Sequence, residues 1–382
     1  MPTKRKNLFL NSVLVIGSVL FALVVAELVV RDYKSGFKNQ IFSEGGNLVE
    51  HHFRGLYSYD VNLGWVPMSN AAKEKWNTTV HTLADGIRSN GIPEPEGKRP
   101  LILAVGDSFT FGDQVADDQT WPALLEKITG ARVLNGGVSS YGFDQTVLRA
   151  EQLTAKYKPD VLVVSLVYDD LDRCKQSVRH GVPKPYFLLE NKALSLKNTP
   201  VPFKANVRLG LFRGIFGYSH LAHKIMARVA PRYWWQDTMK DERYVKSDVL
   251  RVVQALLTRL AALTNNHIRV IILFQDDVNV SETRAIVFNL IEQYMKTKLP
   301  TLEICDMVPR LLNLKKKNAE AFSQFFVQET TSGRHMSIQG NALIAMNVRE
   351  KISLPILNKN ISQNNQLVNA SRLCYIYPSG QR

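Results

Sequence analysis

The sequence predicts an α/β protein with a parallel sheet, helices on both faces of the sheet and an apolar helix at the N-terminus. Short apolar runs typical of buried strands alternate with longer amphipathic runs typical of helices. Strands separated by helices pair in parallel, because the chain crosses the sheet between them. With 382 residues, of which 45% are hydrophobic and 21% charged, the chain can form one large domain plus an anchor, and disorder throughout is excluded.

The N-terminal segment 8–30 is long and apolar enough to span a membrane. At about 1.5 Å per residue it covers the ~30 Å hydrocarbon layer. Lys4, Arg5 and Lys6 precede it, and the positive-inside rule keeps them in the cytoplasm. We expect 1–30 to be a cytoplasmic tip and a single-pass inner-membrane anchor, with the rest periplasmic or extracellular. A signal peptide cleaved near Ala26 is the alternative, and it also exports the remainder.

Next comes a turn-rich lead-in at 31–98, which we expect to be irregular and to end near Pro93. The core domain is predicted to span 99–355. Its strands are expected at 101–105, 132–134, 160–167, 268–274 and 302–305, and its helices at 120–128, 145–157, 249–263, 282–295 and 338–349.

Two segments depart from this alternation. Residues 175–245 are rich in aromatic and basic side chains and are predicted to be a cap insertion: a lid, a glycan platform or a helical cap with a small core of its own. Residues 356–382 are rich in Asn, Gln and Ser and are predicted to be a mobile tail.

The formal net charge is +14, but the basic residues are scattered and no nucleic-acid-binding signature accompanies them. We therefore expect no nucleic-acid partner. The three cysteines form no disulfide framework, although one bridge is compatible with an exported protein. No metal or cofactor is expected. His220 and His223 could share a helix face, but no third ligand is near them in sequence, so we interpret them as surface or cap residues.

Active sites of parallel sheets lie beyond the carboxyl ends of the strands. Three chemically suggestive segments follow predicted strands: Gly106-Asp-Ser108, Asn135-Gly-Gly137 and Tyr168-Asp-Asp170. Ser108 stands on a strand-to-helix turn, where a nucleophile would be exposed to substrate. By itself this tripeptide also fits a helix N-cap. Position 110 is Thr, so the Gly-x-Ser-x-Gly nucleophile elbow of the α/β-hydrolases is absent.

Four blocks, in the right order, together resemble the SGNH/GDSL hydrolase superfamily. They are Ile102-Leu-Ala-Val-Gly-Asp-Ser-Phe-Thr-Phe-Gly112, Leu134-Asn-Gly-Gly-Val138 with Tyr141-Gly142 and Gln145, Pro159-Asp-Val-Leu-Val-Val with Tyr168-Asp-Asp-Leu171, and Gly333-Arg-His335 with Gly340. Asp60 to Trp65 and Gly86-Ile-Arg88 resemble upstream segments of membrane-anchored bacterial members.

The resemblance implies a three-layer α/β/α fold with a five-stranded parallel sheet of the flavodoxin-like kind. It also implies roles for particular residues. Ser108 would be the nucleophile and His335 its base. The backbone N–H groups of Ser108 and Gly137 would donate to the oxyanion.

Two positions depart from the family pattern. Asp169 stands where the family carries an Asn whose amide donates to the oxyanion, so that only a protonated Asp169 could take over this role. Ser332 stands where the family has the acid that orients the histidine. Glu329 and Asp306 are the nearest replacement acids in sequence, and a Ser–His dyad is the other alternative.

We therefore expect a serine esterase that hydrolyses O-acyl groups of cell-envelope glycans or a small ester. A polysaccharide O-acetyltransferase with the same acyl-enzyme is one alternative. A catalytically degenerate glycan-binding or scaffolding protein is the other, and Asp169 and Ser332 favour it. The sequence does not determine the oligomeric state.

Overall fold

The computed structural model describes residues 2–31, 55–93, 97–179, 182–191, 193–203, 211–230, 239–240, 248–328 and 334–352. Glu329, Ser332 and the predicted tail 356–382 lie outside the described residues. The chain divides into two compact units. The larger comprises Gly55–Ser177, Lys184–Phe203 and Lys240–Arg382, and the smaller comprises Met1–Arg54, Val178–Pro183 and Lys204–Met239. The predicted cap insertion at 175–245 is therefore shared between the two units.

The described residues form twelve helices, numbered in chain order. They are α1 (Pro2–Val30), α2 (Ser108–Phe111), α3 (Trp121–Thr129), α4 (Phe143–Tyr157), α5 (Tyr168–Arg173), α6 (Leu211–Phe216), α7 (His220–Val229), α8 (Asp248–Ala262), α9 (Glu282–Lys298), α10 (Val308–Lys317), α11 (Ala319–Ser323) and α12 (Ile338–Ile352).

The same residues form fourteen strands. They are β1 (Tyr57–Asp60), β2 (Gly64–Pro67), β3 (Ala72–Lys75), β4 (Thr78–His81), β5 (Leu101–Val105), β6 (Arg132–Asn135), β7 (Val161–Leu166), β8 (Gln176–Arg179), β9 (Val182–Pro183), β10 (Tyr186–Glu190), β11 (Ala193–Lys197), β12 (Met239–Lys240), β13 (Arg269–Phe274) and β14 (Leu302–Asp306).

The larger unit is built on a five-stranded sheet in the order β6-β5-β7-β13-β14. Every neighbouring pair in it is parallel, with Ile102 opposite Val161 and Val270 opposite Leu302. In chain order the strands stand 2-1-3-4-5, the flavodoxin-like order, so the chain reverses direction across the sheet after β6. This confirms the predicted fold class and its five-stranded parallel sheet.

Helices cover both faces of this sheet. On one face α3 packs against α12, and on the other α4 packs against α8 and α8 against α9. The side chains of β7 are buried along its whole length, as the continuous apolar run predicted. The five predicted strands and five predicted helices all form, and their observed bounds lie within a few residues of those expected.

Two segments contain strands that their composition did not predict. In the lead-in, β1 pairs with β2 and β3 with β4 as antiparallel hairpins, so the described part is more regular than expected. In the cap insertion β10 pairs with β11, so the described part of this insertion is not purely helical. Cys174 and Cys305 are buried free thiols, and Cys374 lies outside the described residues.

In the smaller unit, α1 contains an apolar segment, Asn11–Val30, that is long enough to cross a membrane. The carboxylate of Glu27, in the last turn of α1, accepts hydrogen bonds at the start of α7 from Ser219 Oγ at 2.7 Å and His220 N at 2.8 Å. Length and composition make α1 a candidate span, and a signal sequence meets the same criterion.

Candidate active site

The nucleophile candidate Ser108 begins α2 directly beyond the carboxyl end of β5. Asp107 is the N-cap of this helix, and its Oδ1 accepts from Phe109 N at 2.9 Å. The helix ends after one turn at Gly112, whose φ of 88° favours glycine. Ser108 is therefore a first-turn residue and not the N-cap itself, and its backbone N–H has no partner within the helix.

The hydroxyl of Ser108 meets the imidazole of His335. Ser108 Oγ and His335 Nε2 are 2.8 Å apart, although the residues are separated by 227 positions in the chain. His335 precedes α12, and its ring lies against the ring of Phe109 with the centroids 5.1 Å apart. The fold thus brings together the two residues that the motifs predicted to react together.

The other ring nitrogen of His335 faces a residue that the sequence analysis did not single out. Gln114 Oε1 lies 3.1 Å from His335 Nδ1 and also accepts from the backbone N–H of His335 at 3.2 Å. A backbone N–H can only donate, so the amide oxygen of Gln114 must face the histidine. The oxygen then accepts the Nδ1 proton, and Nε2 is left as the acceptor for the Ser108 hydroxyl. This is the tautomer that a general base requires.

The loop that carries Gln114 is hydrogen-bonded to the buried guanidinium of Arg88. Arg88 donates to the carbonyl oxygens of Gly112 at 2.5 Å and Val115 at 2.7 Å, which flank Gln114 on both sides. It also pairs with Asp117 Oδ1 at 3.0 Å. Gln114 has a φ of 72°, a backbone conformation that costs free energy in a non-glycine residue. The Arg88 hydrogen bonds stabilise the loop that imposes it.

The loop after β6 packs closely against α2. A Cβ added at Gly137 would lie 2.3 Å from Phe111 N, so only glycine fits there. The N–H of Gly137 donates to Asn135 Oδ1 at 3.1 Å. The structure thus places Gly137 beside the turn that carries Ser108. Its N–H can reach an oxyanion only by sharing or giving up the bond to Asn135.

Asp169, in the first turn of α5, is half-exposed and forms an ion pair. Its Oδ1 accepts from Arg284 Nη2 at 3.2 Å. Arg284 also pairs with Asp276 at 2.6 Å and with Asp277 at 2.9 Å, and it lies over the ring of Tyr168. A carboxylate that pairs with a guanidinium is an acceptor only. The described contacts of Asp169 therefore do not support the expectation that a protonated Asp169 donates to the oxyanion.

The first and third motifs are joined by the buried side chain of Arg173. Its Nη1 lies 2.9 Å from Asp107 Oδ2 and 2.6 Å from Asp170 Oδ1. Burial and the nearby charge of Asp107 raise the pKa of Asp170 well above its ordinary value. Because Asp107 caps α2, Arg173 fixes the nucleophile turn against α5.

Of the two candidate acids, Asp306 is the one among the described residues, and its described hydrogen bond does not involve His335. Glu329 lies outside the described residues. Asp306, at the end of β14, accepts from Val308 N at 2.8 Å, and burial raises its pKa to about 6. Among the described residues, the side chain that accepts at His335 Nδ1 is Gln114, an amide in place of the expected carboxylate. No feature of the sequence marks Gln114, whereas Arg88 belongs to the upstream segment already noted.

Within the described part of the chain, no group of three His, Cys, Asp or Glu side chains is arranged to hold a metal ion. His220 and His223 both lie on α7, within three residues of each other, and a third ligand is not among the described residues.

Comparison with protein-family models gives no match to this chain, and comparison with curated proteins gives none either. Solved structures do match. A putative lipolytic protein of the G-D-S-L family from Desulfitobacterium hafniense is 15% identical with a TM-score of 0.37, and the match covers 65% of this chain and 98% of that one. The acetylxylan esterase Axe2 from Geobacillus stearothermophilus is 14% identical with a TM-score of 0.39, covering 68% and 97%.

A third structure is the salicylyl-acyltransferase SsfX3 from a tetracycline biosynthetic pathway, which is 11% identical with a TM-score of 0.38. That match covers 69% of this chain and 58% of the other. All three TM-scores lie below 0.5.

Proposed function

We propose that this protein is an SGNH-type serine hydrolase that acts on acyl esters. The 2.8 Å contact between Ser108 Oγ and His335 Nε2 carries the proposal. The orientation of Gln114 strengthens it, because this amide selects the His335 tautomer that can accept the serine proton.

The site supports a two-step reaction through an acyl-enzyme. Ser108 Oγ attacks the ester carbonyl while its proton passes to His335 Nε2. The tetrahedral oxyanion forms near the first turn of α2, where the N–H of Ser108 is available as a donor. His335 then returns the proton to the departing alkoxide. A water molecule, deprotonated by the same imidazole, hydrolyses the acyl-enzyme and restores Ser108.

Two features of the site lower the expected rate of ester hydrolysis. A neutral amide at Gln114 orients the imidazole but does not neutralise the imidazolium that forms during attack, as a carboxylate would. Asp169 supplies no amide donor, and the absence of one oxyanion donor costs about 3–4 kcal/mol, or roughly 10²–10³ in rate. We expect a slow esterase.

The substrate and the location are proposed on other grounds. The apolar helix preceded by Lys4, Arg5 and Lys6 supports an inner-membrane anchor with the site exported. O-acylated glycans of the cell envelope, or small esters in the same compartment, are the substrates that such a location offers.

Two alternatives remain distinguishable by experiment. An O-acetyltransferase would use the same acyl-enzyme and transfer the acyl group to a sugar hydroxyl faster than to water. A glycan-binding protein that kept the fold is favoured by the ion pair of Asp169 with Arg284, which occupies the position of the missing amide donor. Its glycan binding would be unaffected by Ser108→Ala.

The decisive experiment uses the full chain purified in detergent. Release of nitrophenol from p-nitrophenyl acetate is measured for the wild type, for Ser108→Ala and for Ser323→Ala, a matched control at a half-buried serine of α11. We expect turnover and labelling by a fluorophosphonate in the wild type and the control, and neither in Ser108→Ala. Equal turnover in the wild type and Ser108→Ala would refute the proposal. Adding an oligosaccharide acceptor then separates transfer from hydrolysis.

A further inference from the structure

We propose that α6 and α7 form a membrane-surface docking face, which binds phospholipid headgroups next to the anchor. The inference goes beyond the proposed function and rests on the predicted insertion of α1 in the bilayer. Three observations within the smaller unit carry it: a hydrogen-bonded junction with α1, exposed apolar side chains at helical spacing, and an exclusively basic set of charges.

The junction ties the start of α7 to the end of the predicted span. Glu27 accepts from Ser219 Oγ, His220 N and Leu221 N at 2.7, 2.8 and 2.9 Å. Arg31 pairs with Glu27 at 2.7 Å and donates to Tyr218 O at 2.5 Å. The carboxylate therefore caps the positive end of the α7 dipole, which is a favourable position for an anion.

This junction fixes the depth of α7 relative to the bilayer. The apolar segment Asn11–Val30 ends three residues after Glu27. A segment of 20 residues is about as long as the hydrocarbon layer is thick, so its last turn lies near the headgroup level. The start of α7 is bonded to that turn and must lie at the same level.

The helices present apolar side chains that the described protein does not bury. In α7, Ile225 is 50% exposed and Val229 is 76% exposed, and they lie four residues apart on one face. In α6, Leu211 is 83% exposed and Ile215 is 58% exposed, with the same spacing. Exposed apolar stripes of this kind, at the level of the headgroups, are typical of helices that lie in a membrane interface.

The charges of this segment favour anionic lipid. Residues 211–230 contain no Asp or Glu, and their cationic side chains are Lys224, Arg228 and the buried Arg213. Lys224 and Arg228 are exposed and lie four residues apart, beside the apolar stripe of Ile225 and Val229. Apolar burial and attraction to lipid phosphates then act on the same side of α7.

The test uses the full chain reconstituted in vesicles of phosphatidylglycerol and phosphatidylcholine. Single cysteines carrying an environment-sensitive fluorophore are placed by Ile225→Cys and Val229→Cys. The background is Cys374→Ser, since Cys174 and Cys305 are buried. The control is Ile286→Cys in α9, at an apolar side chain that is 61% exposed in the larger unit. Quenching is measured with spin-labelled lipid and with aqueous iodide.

We expect the labels at 225 and 229 to be quenched by the lipid at least about twofold more than the label at 286, and to be protected from iodide. Iodide quenching as strong as at 286 would overturn the proposal. Protection from both quenchers would also overturn it, because a second copy or another protein would then cover the face.

A second variant tests the junction itself. Glu27→Ala removes both carboxylate oxygens that accept at the start of α7, whereas Glu27→Gln retains one oxygen that can still accept from Ser219 Oγ and Leu221 N. We expect lipid quenching at 225 to fall in Glu27→Ala and to be largely kept in Glu27→Gln, with fluorophosphonate labelling unchanged in both. Unchanged quenching in Glu27→Ala would show that the junction does not position α7.

Discussion

The carboxyl edge of the sheet presents two regions of different chemistry. Beyond β5, Ser108, His335 and Gln114 form a chain of hydrogen bonds, in which His335 Nε2 accepts from the Ser108 hydroxyl and Gln114 Oε1 accepts from His335 Nδ1. Beyond β7 and β13, Asp169 and Arg284 are part of an ion-paired cluster that includes Asp276 and Asp277. The first region is arranged in a geometry suited to proton transfer. The second holds charges that satisfy each other.

If the proposed mechanism holds, the difference teaches that nucleophile activation and oxyanion stabilisation are separable parts of one site. The proposed nucleophile and base are placed for proton transfer, while Asp169, at the proposed oxyanion position, pairs with Arg284. Changes in each region test this contrast.

The largest effect is expected from removing the base. His335→Ala should lower kcat for p-nitrophenyl acetate by roughly 10⁴–10⁶, and Ser108→Ala combined with it should cause little further loss, because the two residues act as one unit. The measurement is steady-state kinetics, with His267→Ala as the control at an exposed histidine. Additive losses in the double variant would show that Ser108 and His335 work independently.

The second prediction changes the other region. Asp169→Asn should raise kcat by up to about 10²-fold, because it replaces an anion by the amide donor that oxyanion sites use. Asp172→Asn, at an exposed acid of the same helix α5, controls for the lost negative charge. An unchanged kcat in a variant that still unfolds cooperatively would favour the glycan-binding alternative over the esterase.

The third prediction concerns the orienting amide. Gln114→Met should lower kcat/KM by about 10²-fold, because the imidazole loses its alignment. Gln114→Glu should retain alignment and add a charge that stabilises the protonated imidazole. The acid limb of its pH profile should therefore move to higher pH by about one unit. Gln324→Glu on the exposed surface is the charge-matched control. A pH profile for Gln114→Glu that is identical to the wild-type profile would show that Gln114 does not position His335.

The smallest effect is expected at Asp306. Burial raises its pKa to about 6. The folded state therefore binds this proton more tightly than the unfolded state, and stability falls as the pH rises from about 4 to about 6. Asp306→Asn should reduce this pH-dependent loss of unfolding free energy by about 1 kcal/mol, as measured by denaturant titration. Its kcat/KM should stay within about twofold of the wild-type value. The control is Asp118→Asn, at a half-exposed side chain. A tenfold loss of activity instead would make Asp306 the acid that the sequence suggested.

Much of the fold could be predicted because its signals are local. The run of apolar residues at 160–167 specifies a buried strand, and the capping and periodicity around 121–129 specify a helix, without reference to the rest of the chain. The alternation of these elements predicted parallel pairing. The order 2-1-3-4-5 follows from the family resemblance and not from any strand's own composition.

The sequence by itself determined the class of fold and pointed to Ser108 and His335 as the proposed nucleophile and base, because these depend on runs of neighbouring residues and on motifs. The tertiary structure alone decided what surrounds them. Gln114 meets His335 across 221 residues, and Arg284 meets Asp169 across 115. Such pairs form only when the packing of distant segments brings the two side chains within hydrogen-bonding distance and partly removes them from water. No short stretch of sequence specifies such a meeting.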